Sequence, residues 1–192
     1  VTHTRRLTES ALAIALTTVL SLVTFAQLPF GGSVTLFSQL PLVLIAYRYG
    51  AKWGVANAMI AGVFQQLLGL NNLQYATNAL ALAGIILLDY VVAFGAMGLA
   101  GVFRKSIQKQ AVSLAVGTLF ASVLRYACHV ITGIWIWGVW APDGQSILAY
   151  SLGYNAAFMI PETIVTIAGA VFVSIFLDFS KENLIRKSTK SL

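Results

Sequence analysis

Long apolar stretches alternate with short polar segments along the chain. Stretches of about 20 apolar residues are typical of membrane-spanning helices, and the chain has room for about six of them. The predicted helices cover approximately residues 7–28, a shorter segment that ends near 47, then 53–70, 79–103, 111–140 and 147–179. The pattern therefore predicts an all-α fold, an integral membrane bundle of six transmembrane helices.

The second apolar segment is the least regular of the six. It contains Pro41, and at about 1.5 Å per residue it barely crosses the hydrocarbon core, so we expect tilt or a non-helical start. The sequence Pro-Phe-Gly-Gly-Ser at 29–33 predicts that an outer loop precedes it. Pro161 and several glycines interrupt the last two helices, where we expect kinks.

Composition agrees with a membrane protein. Of the 192 residues, 58% are hydrophobic and 9% are charged, whereas soluble domains average about 25% charged residues. We assign residues 1–180 to one six-helix membrane domain and residues 181–192 to a basic cytoplasmic tail. Cys128 is the single cysteine, which excludes an internal disulfide and a cysteine-rich metal site.

The basic residues indicate the orientation of the helices. Nearly all of them fall on one side of the predicted bundle. They are Arg5, Arg6, Arg48, Lys52, Arg104, Lys105, Lys109, Lys181, Arg186, Lys187 and Lys190. Because basic loops face the cytoplasm, both termini are predicted to be cytoplasmic. This topology accounts for the net charge of +6 better than binding to nucleic acid does.

Three fully charged side chains lie well inside predicted spans, away from the span ends: Asp89, Arg125 and Glu162. Unpaired charges are costly there, so we expect Arg125 to pair with one of the two carboxylates. One arginine cannot neutralise both carboxylates, and the remaining negative charge favours a bound cation or a proton. Asp89 is either the partner of that cation or a purely structural partner of Arg125.

Polar and aromatic side chains are concentrated in residues 124–155. Arg125, His129 and Trp137 lie four and eight residues apart, near one face of a helix. With several tyrosines and Asn155 nearby, they predict a pocket for a flat, polar, cationic small molecule. Two alternatives remain: the tryptophans form an interfacial belt, or His129 makes only a structural hydrogen bond.

Motifs of common enzymes are absent from the sequence. There is no GxxxxGK[ST] phosphate-binding loop and no HExxH zinc motif. The second histidine, His3, lies in the N-terminal arm, which argues against a multi-histidine metal site. We therefore expect a protein that is not an enzyme and that needs neither a metal nor a cofactor.

Several motifs resemble one family of membrane proteins. They are PFGGSV in the first outer loop, LLDYVVAFGAMGLAG, LRYACHVITG, APDG and YSLGYNAAFMIP. These resemble the thiamine-specific S-component of energy-coupling factor (ECF) vitamin importers, the ThiT/YuaJ family. The resemblance implies a six-helix subunit of a bacterial cell membrane that captures thiamine at the outer face. It also implies a transmembrane coupling subunit and two cytoplasmic ATPases as partners.

The resemblance also assigns roles to individual residues. It implies that the thiamine-binding residues are Asp89, Tyr90, His129, Trp137, Tyr150 and Asn155. The small residues Ala11 and Ala15 match the face that docks on the coupling subunit. The chain differs from some family members in the first loop. Those members have a tryptophan there, whereas this chain has Gly31-Gly32-Ser33. Some members also have a glutamate at the position of Asp89.

Two other classes of protein remain open at this point. A solitary proton-coupled symporter for thiamine or a related vitamin would use Asp89 or Glu162 to carry the proton. A membrane enzyme that acts on a lipid is the third class, and no motif favours it.

Overall fold

The structure is a computed structural model that describes residues 2–181 and 185–186. Most of this chain is helical. The helices are α1 (His3–Ser21), α2 (Leu40–Tyr49), α3 (Ala51–Leu68), α4 (Ala79–Lys105), α5 (Gln110–Trp135) and α6 (Ile147–Phe176). By length and composition, α4, α5 and α6 are the helices of the described chain that are long and apolar enough to cross a membrane. That α1, α2 and α3 also cross it stays a prediction.

A short hairpin replaces the last part of the first predicted helix. Strand β1 (Thr24–Gln27) pairs antiparallel with β2 (Ser33–Thr35). The prediction that the first helix extends to residue 28 is wrong, because α1 ends at Ser21. Pro29 begins the connecting turn and Gly31 follows it with φ of 97°, a conformation that glycine adopts easily. The predicted all-α fold class therefore does not include this β-hairpin.

The C-terminal end of the described chain also departs from the prediction. Helix α6 runs through Pro161 and ends at Phe176, three residues before the predicted boundary. Strand β3 (Leu177–Asp178) then pairs antiparallel with β4 (Ile185–Arg186). Most of the predicted basic tail, residues 181–192, lies outside the described residues.

Helix α4 is continuous but irregular. Its first turns are α-helical, residues Ile85–Val92 form a π-helix, and residues Gly98–Lys105 form a 3-10 helix. Asp89 and Tyr90 both lie in the π-helical part. Such wide turns are rare and occur frequently at functional sites.

Helix α5 ends earlier than the sequence predicts. Its last residue is Trp135, and Trp137–Trp140 form a separate 3-10 turn before the outer loop. Gly138 is a poor helix former, and Pro142 disfavours a helical conformation in the residue before it. Trp137 therefore lies on a turn rather than on the helix, where it reaches across to α4.

Small residues bring the helices close together in the half of the bundle that contains the C-terminal part of α4. A side chain on Gly101 would collide with the carbonyl group of Ala46, and one on Gly117 with that of Ala100. Close helix contacts of this kind are typical of membrane proteins. The largest fully buried apolar side chains here are Leu42, Val43, Met97 and Leu114. The opposite half, near the N-terminal part of α4, encloses a cavity.

Candidate functional site

A cavity of about 460 Å³ lies between the β1–β2 hairpin and helices α3, α4, α5 and α6. Its size is within the range of small-molecule sites. All six predicted binding residues line it: Asp89, Tyr90, His129, Trp137, Tyr150 and Asn155. The structure thus brings together residues that are up to 66 positions apart in the sequence.

Asp89 is the centre of the polar wall of this cavity. It is 8% exposed, and three side chains from α5 and the turn after it contact its carboxylate. The indole Nε1 of Trp137 donates a hydrogen bond of 2.9 Å to Oδ2, and the hydroxyl of Thr132 donates to Oδ1. Nδ1 of His129 lies 3.1 Å from the same Oδ1. These contacts fix both the carboxylate and the indole ring.

The second ring nitrogen of His129 is Nε2. It is buried and makes no hydrogen bond within the described part of the chain. A buried polar nitrogen of this kind costs free energy unless something binds it. His129 as a residue lines the cavity.

Asn155 and Tyr150 form the α6 side of the cavity. The amide nitrogen of Asn155 donates to the carbonyl oxygens of Ser151 (2.9 Å) and His129 (3.2 Å), which ties α6 to α5. The ring of Tyr150 packs against that of Tyr154, with centroids 5.9 Å apart.

Tyr90 connects α4 to the segment after α3. Its hydroxyl accepts a hydrogen bond of 2.8 Å from the amide nitrogen of Asn72. Asn72 belongs to a 3-10 turn, Leu70–Tyr75, that also lines the cavity. This contact fixes Tyr90 beside Asp89 and gives the uncharged loop 71–78 a structural role that its sequence did not indicate.

Four aromatic rings from different segments form a cluster, and two of them, Phe30 and Trp137, line the cavity. The four rings are those of Phe30, Tyr75, Trp137 and Trp140, with centroids 5.1–6.0 Å apart. Phe30 has φ of 63°, which is uncommon for a residue with a side chain. The sequence reasoning overlooked Phe30 and treated the first loop as small residues only. The sequence does show an aromatic residue between Pro29 and Gly31, which could have indicated that the loop contributes a ring to the site.

The hairpin that contains Phe30 is hydrogen-bonded to α6 at its turn and at the end of β2. At the turn, Tyr154 donates to the carbonyl oxygen of Pro29 and accepts from the backbone N–H of Gly32. At the end of β2, Glu162 accepts from the backbone N–H and the hydroxyl of Thr35, both at 2.6 Å, and from Ser38 at 3.1 Å.

The expected pairing of Arg125 with a carboxylate is wrong. In the described chain, no carboxylate oxygen lies within 4.0 Å of an Arg125 nitrogen. The oxygens of Glu162 are taken by Thr35 and Ser38, and those of Asp89 by their own donors. Arg125 instead lines the cavity, with its Cζ 4.5 Å from the centroid of the Phe94 ring.

We expect Glu162→Gln to destabilise the fold by about 2–3 kcal/mol, since it removes a charged acceptor of buried hydrogen bonds. The glutamine NH2 would face either the N–H of Thr35 or the hydroxyls of Thr35 and Ser38, all of which donate to the carboxylate in the wild type. Ser38→Ala is the matched control, because it removes one of the three hydrogen bonds and leaves the charge. Thermal unfolding of the purified protein measures both. Equal unfolding temperatures for Glu162→Gln and the wild type would contradict the role of Glu162 as an anchor.

Ala11 and Ala15 are not among the residues that line the cavity. Both are exposed, one turn apart on α1, while Ala13 and Thr17 on the same helix are buried. The pair thus belongs to an outward face of the helix. Exposed leucines at positions 12 and 16 flank it.

No group of three His, Cys, Asp or Glu side chains within the described residues is arranged to hold a metal ion. The expectation that the protein needs neither a metal nor a cofactor stays a prediction.

Comparison with known proteins gives a consistent result. The family described as thiamine transporter protein (Thia_YuaJ) matches residues 7–183. The chain is 40% identical to the thiamine transporter ThiT of Bacillus subtilis over 171 residues, 83% of this chain and 85% of that protein. It is 28% identical to ThiT of Lacticaseibacillus paracasei over 81% of this chain and 78% of that one.

A solved structure shares the fold. ThiT from Listeria monocytogenes superposes with a TM-score of 0.71 at 22% sequence identity. The match covers 89% of this chain and 92% of the other.

Proposed function

Because this chain belongs to the Thia_YuaJ family of thiamine transporter proteins, we propose that it binds thiamine for uptake across a bacterial cell membrane. In this proposal it is the substrate-binding S-component of an ECF importer and not an enzyme. All six helices span the membrane, both termini are cytoplasmic, and the cavity opens to the outer face.

The observation that carries the proposal is the buried carboxylate of Asp89 among aromatic rings. Thiamine contains a cationic thiazolium ring and an aminopyrimidine ring. A buried carboxylate and an adjacent indole attract such a cation, each contributing about 1–2 kcal/mol when water is excluded. The hydrogen bond from Trp137 to Asp89 holds both groups in place before the ligand arrives, so little conformational entropy is lost on binding.

The remaining predicted residues suit the aminopyrimidine. In this proposal the ligand reaches the Nε2 of His129, a cavity residue whose Nε2 has no hydrogen-bond partner within the described chain. Tyr90, Tyr150 and Asn155 add hydroxyl and amide groups to the same wall. An aminopyrimidine carries both donors and acceptors, so it can hydrogen-bond with these groups while it stacks on the aromatic rings.

The energy for uptake comes from partner subunits in this proposal. The sequence has no phosphate-binding loop, so we assign ATP hydrolysis to two cytoplasmic ATPases that act through a transmembrane coupling subunit. The exposed pair Ala11 and Ala15 on α1 is the proposed docking face, since small residues let another helix approach closely.

Uptake into sealed vesicles tests the proposal. We expect the chain alone to bind labelled thiamine without accumulating it, and accumulation to require the coupling subunit, both ATPases and ATP. Vesicles with a catalytically inactive ATPase are the control. The alternative is a solitary proton-coupled symporter for thiamine or a related vitamin, in which Asp89 or Glu162 carries the proton. Accumulation by the chain alone, driven by a pH gradient, would establish that alternative.

A further inference from the structure

Arg6 is a positively charged residue near the start of α1 that has no acidic partner within the described chain. No carboxylate oxygen lies within 4.0 Å of its nitrogens. Its Nε is buried and has no hydrogen-bond partner there either. The Cζ of Arg6 lies 3.9 Å from the centroid of the Trp53 ring on α3, and this stacking stabilises the charge without using an N–H donor. The guanidinium therefore keeps donor capacity for another partner.

Glu9 is the acidic residue best placed in sequence to neutralise Arg6, but other groups bind it. It follows Arg6 by three residues on α1, a spacing that allows an ion pair. Its carboxylate instead accepts hydrogen bonds from Arg5, Arg48 and Tyr49. The positive charge of Arg6 is thus not cancelled by its own helix.

Two further contacts hold the Trp53 ring in position. Its Nε1 donates a hydrogen bond of 2.8 Å to the hydroxyl of Ser10. The ring of His3 meets it edge-on, with centroids 6.4 Å apart. Arg6 therefore stacks on an aromatic surface that is itself fixed to α1.

Lys52 brings a second positive charge to the same end of α3. It immediately precedes Trp53 in the first turn of the helix, and it is exposed. A guanidinium fork matches the oxygens of a phosphate group, and a nearby ammonium adds to the attraction. These features favour a phosphate as the ligand of Arg6.

The apolar surface beyond Trp53 indicates a lipid rather than a free phosphate. Ile60, Phe64 and Leu67 follow Trp53 by 7, 11 and 14 residues, which places them on the same face of α3. All three are exposed. A phospholipid with its phosphate at Arg6 can therefore lay an acyl chain along this face, and Trp53 lies where tryptophans meet lipid headgroups.

We propose that Arg6 and Lys52, with Trp53 between α1 and α3, form a site for the headgroup of an anionic phospholipid. The inference goes beyond the proposed function but rests on its topology, because α1 and α3 must cross the membrane with these ends at the cytoplasmic face. It assigns to this end of the bundle a lipid ligand that is separate from the thiamine cavity.

Thermal unfolding of the full chain in neutral detergent, at about 0.15 M salt, tests the site. A ligand that binds the folded state raises the unfolding temperature as its concentration increases. We expect short-chain phosphatidylglycerol to raise it more than phosphatidylcholine, whose choline cation is repelled by Lys52. Inorganic phosphate at the same concentration should have little effect, because it lacks the acyl chains.

Arg6→Gln should weaken the apparent affinity for phosphatidylglycerol by about 10- to 100-fold, the effect of losing a charged hydrogen bond. Arg6→Lys, which keeps the charge, should restore part of the loss. Thiamine affinity, measured by tryptophan fluorescence quenching, should stay at the wild-type value, since Arg6 lines no part of the cavity.

A matched pair of lysines keeps the test decisive if Arg6→Gln does not fold. Lys52 and Lys109 are both exposed and lie at the starts of α3 and α5. Lys52→Gln should weaken phosphatidylglycerol binding by about three- to tenfold, whereas Lys109→Gln should change it less than twofold, to within about the effect of one screened surface charge.

Three outcomes would overturn the proposal. They are equal effects of the two lipids on the wild type, equal losses in Lys52→Gln and Lys109→Gln, and equal protection by inorganic phosphate. Unchanged lipid binding in Arg6→Gln with loss of copurification with the coupling subunit would also overturn it and make this patch a protein-docking surface. Failure of the wild type to bind thiamine would contradict the proposed function instead, whatever the lipid result.

Discussion

Asp89→Asn should weaken thiamine binding by about 2–4 kcal/mol, since it removes the charge that faces the cationic ring in a desolvated cavity. The structure adds a second reason. The carboxylate accepts hydrogen bonds from Trp137 and Thr132, one on each oxygen. An asparagine has one acceptor oxygen and one NH2 group, so its NH2 group would face one of these two donors. Tryptophan fluorescence quenching of the purified variant measures the loss.

Two comparisons separate the charge from the hydrogen bonds of Asp89. A neutral isostere of thiamine should lose much less affinity than thiamine in Asp89→Asn. Trp137→Phe keeps an aromatic ring and the carboxylate but removes the indole N–H, and it should cost about 1–2 kcal/mol for either ligand. Equal losses of cationic and neutral ligands in Asp89→Asn would mean that Asp89 has a structural role only.

The polar wall of the cavity was accessible from the sequence because charges stand out in apolar helices. Asp89 and His129 are costly inside a membrane, so their presence alone predicted a site. Thr132 was missed, although it follows His129 by three residues and shares its helix face. A threonine in a membrane helix does not by itself predict a site, because its hydroxyl commonly hydrogen-bonds to the backbone of its own helix. In the structure the Thr132 hydroxyl lies within hydrogen-bond distance of that backbone and also of Asp89, to which it donates.

The first loop shows a limit of sequence reasoning. Residues 22–28 continue the apolar run of α1, so hydrophobicity alone predicted a longer helix. The hairpin forms because Glu162 and Tyr154 of α6 bind its backbone, and such contacts between distant segments have no local signature. The π-helix at residues Ile85–Val92, around Asp89, is a second feature that the hydrophobic pattern did not predict.

Arg125 was recognised from the sequence but assigned a wrong partner. Charge counting predicted that a buried arginine pairs with a carboxylate. It could not show that Thr35 and Ser38, from a loop more than 120 residues before Glu162, occupy the expected partner's oxygens. Pairing depends on which oxygens remain free, and only the three-dimensional arrangement shows this.

Ala15→Trp on the exposed face of α1 should abolish thiamine uptake by the assembled importer and leave thiamine binding by the isolated chain unchanged. Ala15 lines no part of the cavity, so the affinity should stay at the wild-type value. A large side chain where two helices meet costs about 1–3 kcal/mol or more through overpacking, which weakens complex formation by about 5- to 140-fold or more. Ala11→Trp, one turn away on the same face, should act in the same way.

Ala168→Trp is the matched control, because Ala168 is an exposed alanine on α6 and the substitution adds the same bulk to another face. It should change neither binding nor uptake. Copurification of each variant with the coupling subunit then separates docking from later steps, and only the α1 variants should lose the partner. Loss of thiamine binding in Ala15→Trp would instead mean that this face packs within the folded chain and that docking uses another surface.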